Sequence, residues 1–114
     1  MILITGPLYG GKRAYILDAM GLSEEELSRR AVWDVQERVD DVAPEALADA
    51  LSSHDIVIIT EVGGGVVPTD PRQRARREAA GRLACLLAAR ADTVIRVCCG
   101  LPQLLKGDWP CASF

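Results

Sequence analysis

The sequence is poor in aromatic residues and in histidine, and it contains no long hydrophobic run. Aromatic side chains make up 4% of its 114 residues, and His54 is the single histidine. No Ser/His/Asp or Cys/His catalytic set can be assembled around His54. Gly6 and Pro7 interrupt the N-terminal apolar run, and no run approaches the roughly 18 apolar residues of a membrane span. We therefore expect no signal peptide, no membrane span and a cytoplasmic location.

The four cysteines do not form a recognisable metal-binding or disulfide pattern. None of Cys85, Cys98, Cys99 and Cys111 belongs to a CxxC pair. Adjacent Cys98 and Cys99 would point to opposite faces of a strand. We expect reduced, buried thiols rather than a zinc site or a disulfide framework.

The charge and length exclude some partners and bound the number of domains. The formal net charge is -3, so no basic surface suggests a nucleic-acid partner. Hydrophobic residues make up 49% of the chain and charged residues 25%, as in ordinary soluble globular proteins. A chain of 114 residues is long enough for one core, so we expect one domain over residues 1–114.

Short apolar runs alternate with helical segments along the chain. The strands expected from continuous apolar runs are residues 2–5, 55–60 and 93–98, with 31–36 as a weaker candidate. The helices expected between them cover residues 12–20, 23–30, 44–53 and 70–91. This order predicts an α/β fold, a minimal three-layer P-loop-type domain with a small, mainly parallel sheet of three or four strands flanked by helices. The tail after residue 99 shows no clear periodicity.

A phosphate-binding loop is predicted between the first strand and the first helix. The stretch GPLYGGK at residues 6–12 fits the pattern G-x-x-x-x-G-K. Its glycines would let backbone N–H groups surround phosphate oxygens, and Lys12 would reach the β- and γ-phosphates. The glycines expected to bind nucleotide are Gly6, Gly10 and Gly11. The alternative interpretation is a plain connection between a strand and a helix.

Arg13 breaks the phosphate-loop pattern. It stands where a Ser or Thr hydroxyl would ligate magnesium, and a guanidinium cannot ligate a cation. Arg13 either contacts phosphate oxygens itself or points into solvent. If magnesium binds, Glu61 at the end of the strongest strand is the candidate ligand, and the alternative is an exposed strand-end glutamate.

A second glycine-rich loop, EVGGGVVP at residues 61–68, precedes an arginine-rich helix start. Three consecutive glycines permit close approach of a ligand to the backbone, although they also suit a flexible loop tip. The arginines crowded into the first turns of the next helix are Arg72, Arg74, Arg76 and Arg77. Cations at a helix N-terminus oppose its dipole, which indicates an anion or an acidic neighbour nearby. A solvated helix face, partly compensated by Glu78, is the alternative.

Three loops are expected at one edge of the sheet. Ligands of parallel α/β sheets bind beyond the carboxyl ends of the strands. Residues 6–13, 61–68 and 100–102 all follow predicted strands. They should therefore lie together and form the binding site.

Four segments of the sequence together carry a family resemblance: MILITG…GGK, TEVGGGVVP, RARREAAG and ARADTVIRVCCGLPQLLKG. The last three resemble the C-terminal half of the adenosylcobinamide kinase/adenosylcobinamide-phosphate guanylyltransferase family, and the first is similar to the phosphate loop of that family. RRAVWDVQE resembles a further family segment through Trp33 and Glu37. The other matching positions are Gly63, Gly65, Val67, Pro68, Arg74, Arg77, Gly81, Ala91, Asp92, Val94, Gly100, Pro102, Leu105 and Lys106.

The resemblance implies a nucleotide-binding protein that acts on a corrinoid and forms a homo-oligomer. GTP or ATP would bind at residues 6–13. As catalytic residues, Lys12 would stabilise the transferring phosphoryl group and Glu61 would place a magnesium ion or the acceptor hydroxyl. The residues expected near the corrinoid are Gly63, Gly64, Gly65, Arg74 and Arg77.

The chain also departs from the family pattern. It is shorter, and it lacks the family's guanylylated histidine, a segment carrying an aspartate, and the hydroxyl replaced by Arg13. We therefore expect phosphorylation of a corrinoid side-chain hydroxyl in cobalamin biosynthesis or salvage, without the guanylyltransferase step. Two alternatives remain: a non-catalytic nucleotide- or corrinoid-binding relative with a regulatory or scaffold role, and an unrelated small α/β binding protein.

Overall fold

The computed structural model describes residues 1–62 and 69–110. Within these residues, five strands form one sheet in the order β2-β3-β1-β4-β5. The strands are β1 (Ile2–Gly6), β2 (Ala31–Val32), β3 (Ile56–Thr60), β4 (Thr93–Cys98) and β5 (Leu101–Lys106). The helices are α1 (Lys12–Met20), α2 (Glu24–Arg30), α3 (Pro44–Leu51) and α4 (Pro71–Arg90), with a 3-10 helix at Val35–Asp40. β1 to β4 run parallel, and β5 is antiparallel to β4.

Helices cover both faces of the sheet, so the fold has three layers. One face packs Leu3, Val57 and Val94 against α3, α4 and the 3-10 helix. The other face packs Ile4 and its neighbours in β3 and β4 against α1 and α2. The predicted α/β class with a mainly parallel, helix-flanked sheet is thereby confirmed.

The continuous apolar runs are explained by this double coverage. All five residues of β3 are buried, and β1 lies between β3 and β4 with Ile4 opposite Ile58 and Ile95. Because successive side chains point to opposite faces, a strand covered on both faces needs apolar residues at every position. Full burial of each such side chain stabilises the fold by about 1.5–3 kcal/mol.

The helix boundaries follow the capping residues in the sequence. Gly21 adopts the left-handed conformation that ends α1, with φ 62°. Ser23 accepts a hydrogen bond from the Glu26 backbone at 3.1 Å and begins α2. Asp70 accepts one from the Arg72 backbone at 2.9 Å at the start of α4.

The sheet differs from the expected one at both edges. The expected strand over residues 31–36 ends at Val32, because Asp34 takes a left-handed conformation and the 3-10 helix follows. The tail contains β5, an edge strand whose residues are mostly exposed, so it carries no burial pattern to reveal it. Among residues 1–62 and 69–110, the sheet therefore has five strands where three or four were expected.

The expectation of buried thiols is wrong for the cysteines that the structure describes. Cys85 and Cys99 are exposed and Cys98 is partly exposed, and all three are free. Cys85 lies on an outer face of α4, and Cys99 lies in the turn between β4 and β5 with φ 55°. Cys111 lies outside the described residues. In the described ranges, no helix combines the length and hydropathy needed to cross a membrane.

Candidate nucleotide and substrate site

The phosphate loop packs directly onto the end of β4. A Cβ atom added at Gly6 would lie 2.1 Å from the Val97 carbonyl oxygen, and one added at Gly10 would lie 2.6 Å from it. The Gly10 carbonyl accepts a hydrogen bond from the Gly100 backbone at 2.8 Å. Gly11 has φ 92° immediately before α1. Glycine is therefore required at these loop positions by close approach and by backbone conformation.

Lys12 is folded back over its own loop. Its side chain is buried, and Nζ donates hydrogen bonds to the carbonyls of Pro7 at 2.8 Å and of Gly6 at 3.3 Å. Burial lowers the pKa of Lys12 from its ordinary value, while the negative charges of Asp34 and Glu61 oppose that effect. The ammonium thus lies within the loop, close to two acidic side chains.

Glu61 and Arg96 form an ion pair at the same edge. Arg96 donates to the Glu61 carboxylate from Nε at 2.5 Å and from a terminal guanidinium nitrogen at 3.0 Å. These hydrogen bonds are the main reason that the pKa of Glu61 lies below its ordinary value. The Glu61 backbone donates to the Gly6 carbonyl at 2.8 Å, which fixes Glu61 beside the phosphate loop.

Arg96 is a site residue that the sequence reasoning missed. It lies on β4 in register with Thr5 of β1. Residues two apart on a strand share a face, so Arg96 lies on the same side of the sheet as buried Val94, facing α4. The available signal was one arginine inside an otherwise apolar strand, TVIRVC.

A second missed group is centred on Asp34, just after β2. Asp34 Oδ1 accepts hydrogen bonds from Thr60 Oγ1 at 2.8 Å and from Gln36 Nε2 at 3.5 Å. Gln36 is buried, and its Oε1 accepts from the Thr60 backbone at 2.9 Å. The signal in the sequence was an acidic residue near the end of a weak strand, but the strand expected over 31–36 concealed it.

Arg13 contacts two other segments of the protein in this structure, and its side chain stays partly exposed. Its guanidinium forms an ion pair with Glu24 of α2. It also lies over the Trp33 ring, 5.7 Å from the ring centroid. Arg13 therefore links α1 to α2 and to the segment after β2.

The first turns of α4 border cavities beside Val62. One cavity of about 360 Å³ is lined by Gln36, Glu37, Val62, Gln73, Arg76, Arg77 and Ala80. A neighbouring one of about 350 Å³ is lined by Val62, Arg74, Arg77 and Glu78. Arg76 forms an ion pair with Asp40 at 3.1 Å. Asp40 is therefore an acidic neighbour of the arginine-rich start of α4, as the sequence indicated. Gly63, Gly64 and Gly65 lie outside the described residues.

The sequence from residue 9 to residue 105 matches the model of one family, described as "Cobinamide kinase / cobinamide phosphate guanyltransferase". The chain belongs to this family. No curated protein matches the sequence. Membership confirms the resemblance to this family over residues 9–105. It also supports a nucleotide-binding function of the kinase or transferase kind in cobalamin biosynthesis.

In this member of the cobinamide kinase/guanyltransferase family, the first glycine loop, Glu61 and the β4–β5 turn lie together at the carboxyl edge of the sheet. The phosphate loop contacts Glu61 through Gly6 and contacts the β4–β5 turn through Gly100. Lys106 lies elsewhere, where its Nζ donates to the carbonyls of Ala88 and Ala89 at 3.0 Å. That position of the family pattern therefore caps the C-terminus of α4.

The donor chemistry at this edge fits magnesium that arrives with a nucleotide. No group of three or more His, Cys, Asp or Glu side chains that could hold a metal occurs among residues 1–62 and 69–110. Magnesium bound to nucleotide phosphates commonly takes only one or two carboxylates from the protein. Glu61 offers oxygen ligands of this kind, and it would have to give up a hydrogen bond from Arg96.

Proposed function

We propose that the protein phosphorylates a hydroxyl on the side chain of a corrinoid, using GTP or ATP as the phosphoryl donor. One observation carries this proposal. The Gly6 carbonyl accepts hydrogen bonds both from Lys12 Nζ and from the Glu61 backbone, so the two expected catalytic residues meet at one atom of the phosphate loop. Family membership supplies the substrate class.

In the proposed mechanism, the loop and the start of α1 bind the phosphates. Backbone N–H groups around Gly6, Gly10 and Gly11 and the positive end of α1 attract phosphate oxygens. Lys12 exchanges the carbonyls of Gly6 and Pro7 for the β- and γ-phosphates, and it stabilises the charge that develops during transfer. Bound magnesium supplies charge neutralisation at the phosphates. Glu61 holds that ion or orients the acceptor hydroxyl.

We propose that the corrinoid binds at the second glycine-rich loop, residues 61–68, and at the start of α4. Arg74 and Arg77 border the cavities beside Val62. Gly63, Gly64 and Gly65 belong to the adjoining loop in the chain. We propose that these residues contact the corrinoid side chain. The guanylyltransferase step is not part of the proposal, because the histidine that the family modifies has no counterpart here.

One observation favours a second candidate, a nucleotide- or corrinoid-binding relative without turnover. Both expected catalytic side chains are satisfied by the protein itself, Lys12 by loop carbonyls and Glu61 by Arg96. Such a protein would have a regulatory or scaffold role.

Two measurements on one preparation separate the candidates. The first is calorimetric titration with GTP and with ATP in the presence of magnesium, on the wild type and on Lys12→Ala. The second is incubation with adenosylcobinamide, magnesium and each nucleotide, followed by mass spectrometry of the corrinoid. Binding with product formation supports the kinase, and binding without product supports the second candidate. If no nucleotide binds at millimolar concentration, both candidates are wrong.

We also propose that the protein is a homo-oligomer and acts in the cytoplasm. The edge strand β5 and the segment after it expose Leu101, Leu105 and Trp109. Exposed apolar side chains at a sheet edge are suited to pairing with a second copy. Light scattering should give a mass above that of the monomer, and a monomer at micromolar concentration would contradict this proposal.

A further inference from the structure

Asp34 adopts a backbone conformation that aspartate takes only occasionally. Its φ of 50° and ψ of 46° are left-handed, and the residue lies just beyond β2 at the carboxyl edge of the sheet. It precedes the 3-10 helix, yet its side chain makes no capping hydrogen bond there. Instead, Oδ1 accepts from Thr60 Oγ1 at the end of β3. A strained residue that directs a carboxyl group to a binding edge suggests a function.

The Asp34 carboxyl group is linked to both the phosphate loop and the cavity beside α4. On one side its charge acts on Lys12. On the other side it accepts a hydrogen bond from Gln36, and Gln36 lines the cavity of about 360 Å³. An acceptor hydroxyl that attacks the γ-phosphorus from the cavity side would therefore come close to this carboxyl group.

Asp34 is also less engaged than its acidic neighbour. Arg96 donates to both oxygens of Glu61. Both hydrogen bonds to Asp34 go to Oδ1, and no donor among the described residues reaches Oδ2. Nor does any cation in the described ranges form an ion pair with Asp34. Oδ2 is therefore an oxygen that can accept a proton without first breaking a contact.

We propose that Asp34 is a catalytic residue that accepts the proton of the attacking hydroxyl. This inference rests on the proposed function. The acceptor oxygen forms a bond to the γ-phosphorus, and the bond from that phosphorus to the β–γ bridging oxygen breaks. The bridging oxygen leaves with the electron pair as part of the nucleoside diphosphate. The hydroxyl proton passes to Asp34 Oδ2, and Thr60 and Gln36 hold the carboxyl group in place.

The test compares Asp34→Asn with the wild type and with Asp18→Asn. Asparagine tolerates the left-handed backbone, and its amide oxygen still accepts from Thr60, but it cannot take up the proton. Asp34→Gly is a second variant that keeps the backbone conformation and removes the whole side chain. Asp18→Asn removes a carboxylate from the exposed surface of α1. Thermal unfolding checks that each variant is folded.

Activity is assayed with magnesium and GTP or ATP, using two phosphoryl acceptors. The first acceptor is adenosylcobinamide. The second is water, for which slow hydrolysis of the nucleotide is measured without corrinoid. We expect both Asp34 variants to lower kcat by about 100-fold or more. Their nucleotide Kd should stay within about threefold of the wild-type value, and Asp18→Asn should match the wild type.

Each outcome decides the inference. Wild-type kcat in Asp34→Asn overturns it, and so does loss of nucleotide binding in both Asp34 variants. If the wild type hydrolyses nucleotide but does not phosphorylate the corrinoid, the proposed function fails. In that case a 100-fold loss of hydrolysis in Asp34→Asn still supports Asp34 as the proton acceptor. If the wild type transfers phosphate to neither acceptor, both the inference and the proposed function are wrong.

Discussion

Arg96 holds Glu61 by two hydrogen bonds, at 2.5 and 3.0 Å, across the end of the central strand. Glu61 follows β3, Arg96 lies on β4, and β1 runs between them. Any role of Glu61 toward magnesium or an acceptor hydroxyl therefore competes with this pair. Because of this competition, the first prediction concerns substitutions that break the Glu61–Arg96 ion pair.

The Glu61–Arg96 pair should make a small, pH-dependent contribution to stability. The pKa of Glu61 is depressed from its ordinary 4.5, so the contribution is complete above pH 4.5 and disappears as the pH falls through the depressed pKa. Both side chains are more than one third exposed, so we expect less than about 1 kcal/mol at pH 7. Denaturant unfolding of the wild type and Glu61→Gln at pH 7 and at pH 3 measures it.

The control is a double-mutant cycle with Arg96→Ala. If the pair acts as described, Arg96→Ala lowers the unfolding free energy no further in the Glu61→Gln background. Equal effects of Arg96→Ala in both backgrounds would show that the two side chains are not coupled.

Lys12→Met should weaken nucleotide binding without lowering the stability of the protein. Burial lowers the Lys12 pKa, so the charged form costs stability at every pH below that pKa, and the cost falls as the pH rises through it. Methionine carries no charge, so the free energy of unfolding at pH 7 should stay within about 1 kcal/mol of the wild type or rise. Nucleotide affinity should fall by about 100-fold, or roughly 2.7 kcal/mol. A loss of 2 kcal/mol or more in unfolding free energy, or retained affinity, would count against this assignment of Lys12.

Arg13→Ser restores the hydroxyl of the phosphate-loop pattern. We expect nucleotide affinity with magnesium to increase roughly fivefold, or about 1 kcal/mol, and no such change in the presence of a chelator. Calorimetric titration with and without magnesium measures this. The substitution also removes the exposed pair with Glu24 and the contact with Trp33, which should cost about 1 kcal/mol of stability.

Glu24→Gln is the matched control for Arg13→Ser. It breaks the same ion pair without adding a hydroxyl, so its nucleotide affinity should equal that of the wild type at any magnesium concentration. If Glu24→Gln tightens binding as much as Arg13→Ser does, release of the arginine and not the new hydroxyl is responsible.

Gly6→Ala should be strongly destabilising, and Gly81→Ala should not. At Gly6 a Cβ atom would lie 2.1 Å from a backbone oxygen and φ is 148°, so the loop must move. We expect a loss of at least about 2 kcal/mol of unfolding free energy. A Cβ atom at Gly81 in α4 has no neighbour within 4 Å, so alanine should add about 0.5–1 kcal/mol. Urea unfolding of both variants checks the contrast.

The sequence predicts the centre of this fold better than its edges. β1, β3 and β4 are largely apolar runs, with Arg96 as the charged residue in β4, and such runs are typical of parallel strands covered on both faces. β5 is exposed at the sheet edge, so no burial pattern marks it. The shortening of β2 depends on the left-handed conformation of Asp34, which tertiary hydrogen bonds stabilise and local propensity does not predict.

Some features of the candidate site could also be predicted from the sequence, and others could not. The compact backbone of the first glycine loop was predictable, because its glycines are needed for close approach to β4 at Gly6 and Gly10. Arg96 and Asp34 were not predicted, because their importance comes from contacts with residues far apart in the chain. Sequence spacing gives no direct signal for such contacts.

The most direct test of the central claim is the mass of the corrinoid after incubation with the protein, magnesium and GTP or ATP. We expect adenosylcobinamide to gain the mass of one phosphoryl group, with one nucleoside diphosphate released per product, and we expect no product with Lys12→Ala. An unchanged corrinoid mass in the presence of demonstrated nucleotide binding would contradict the kinase function.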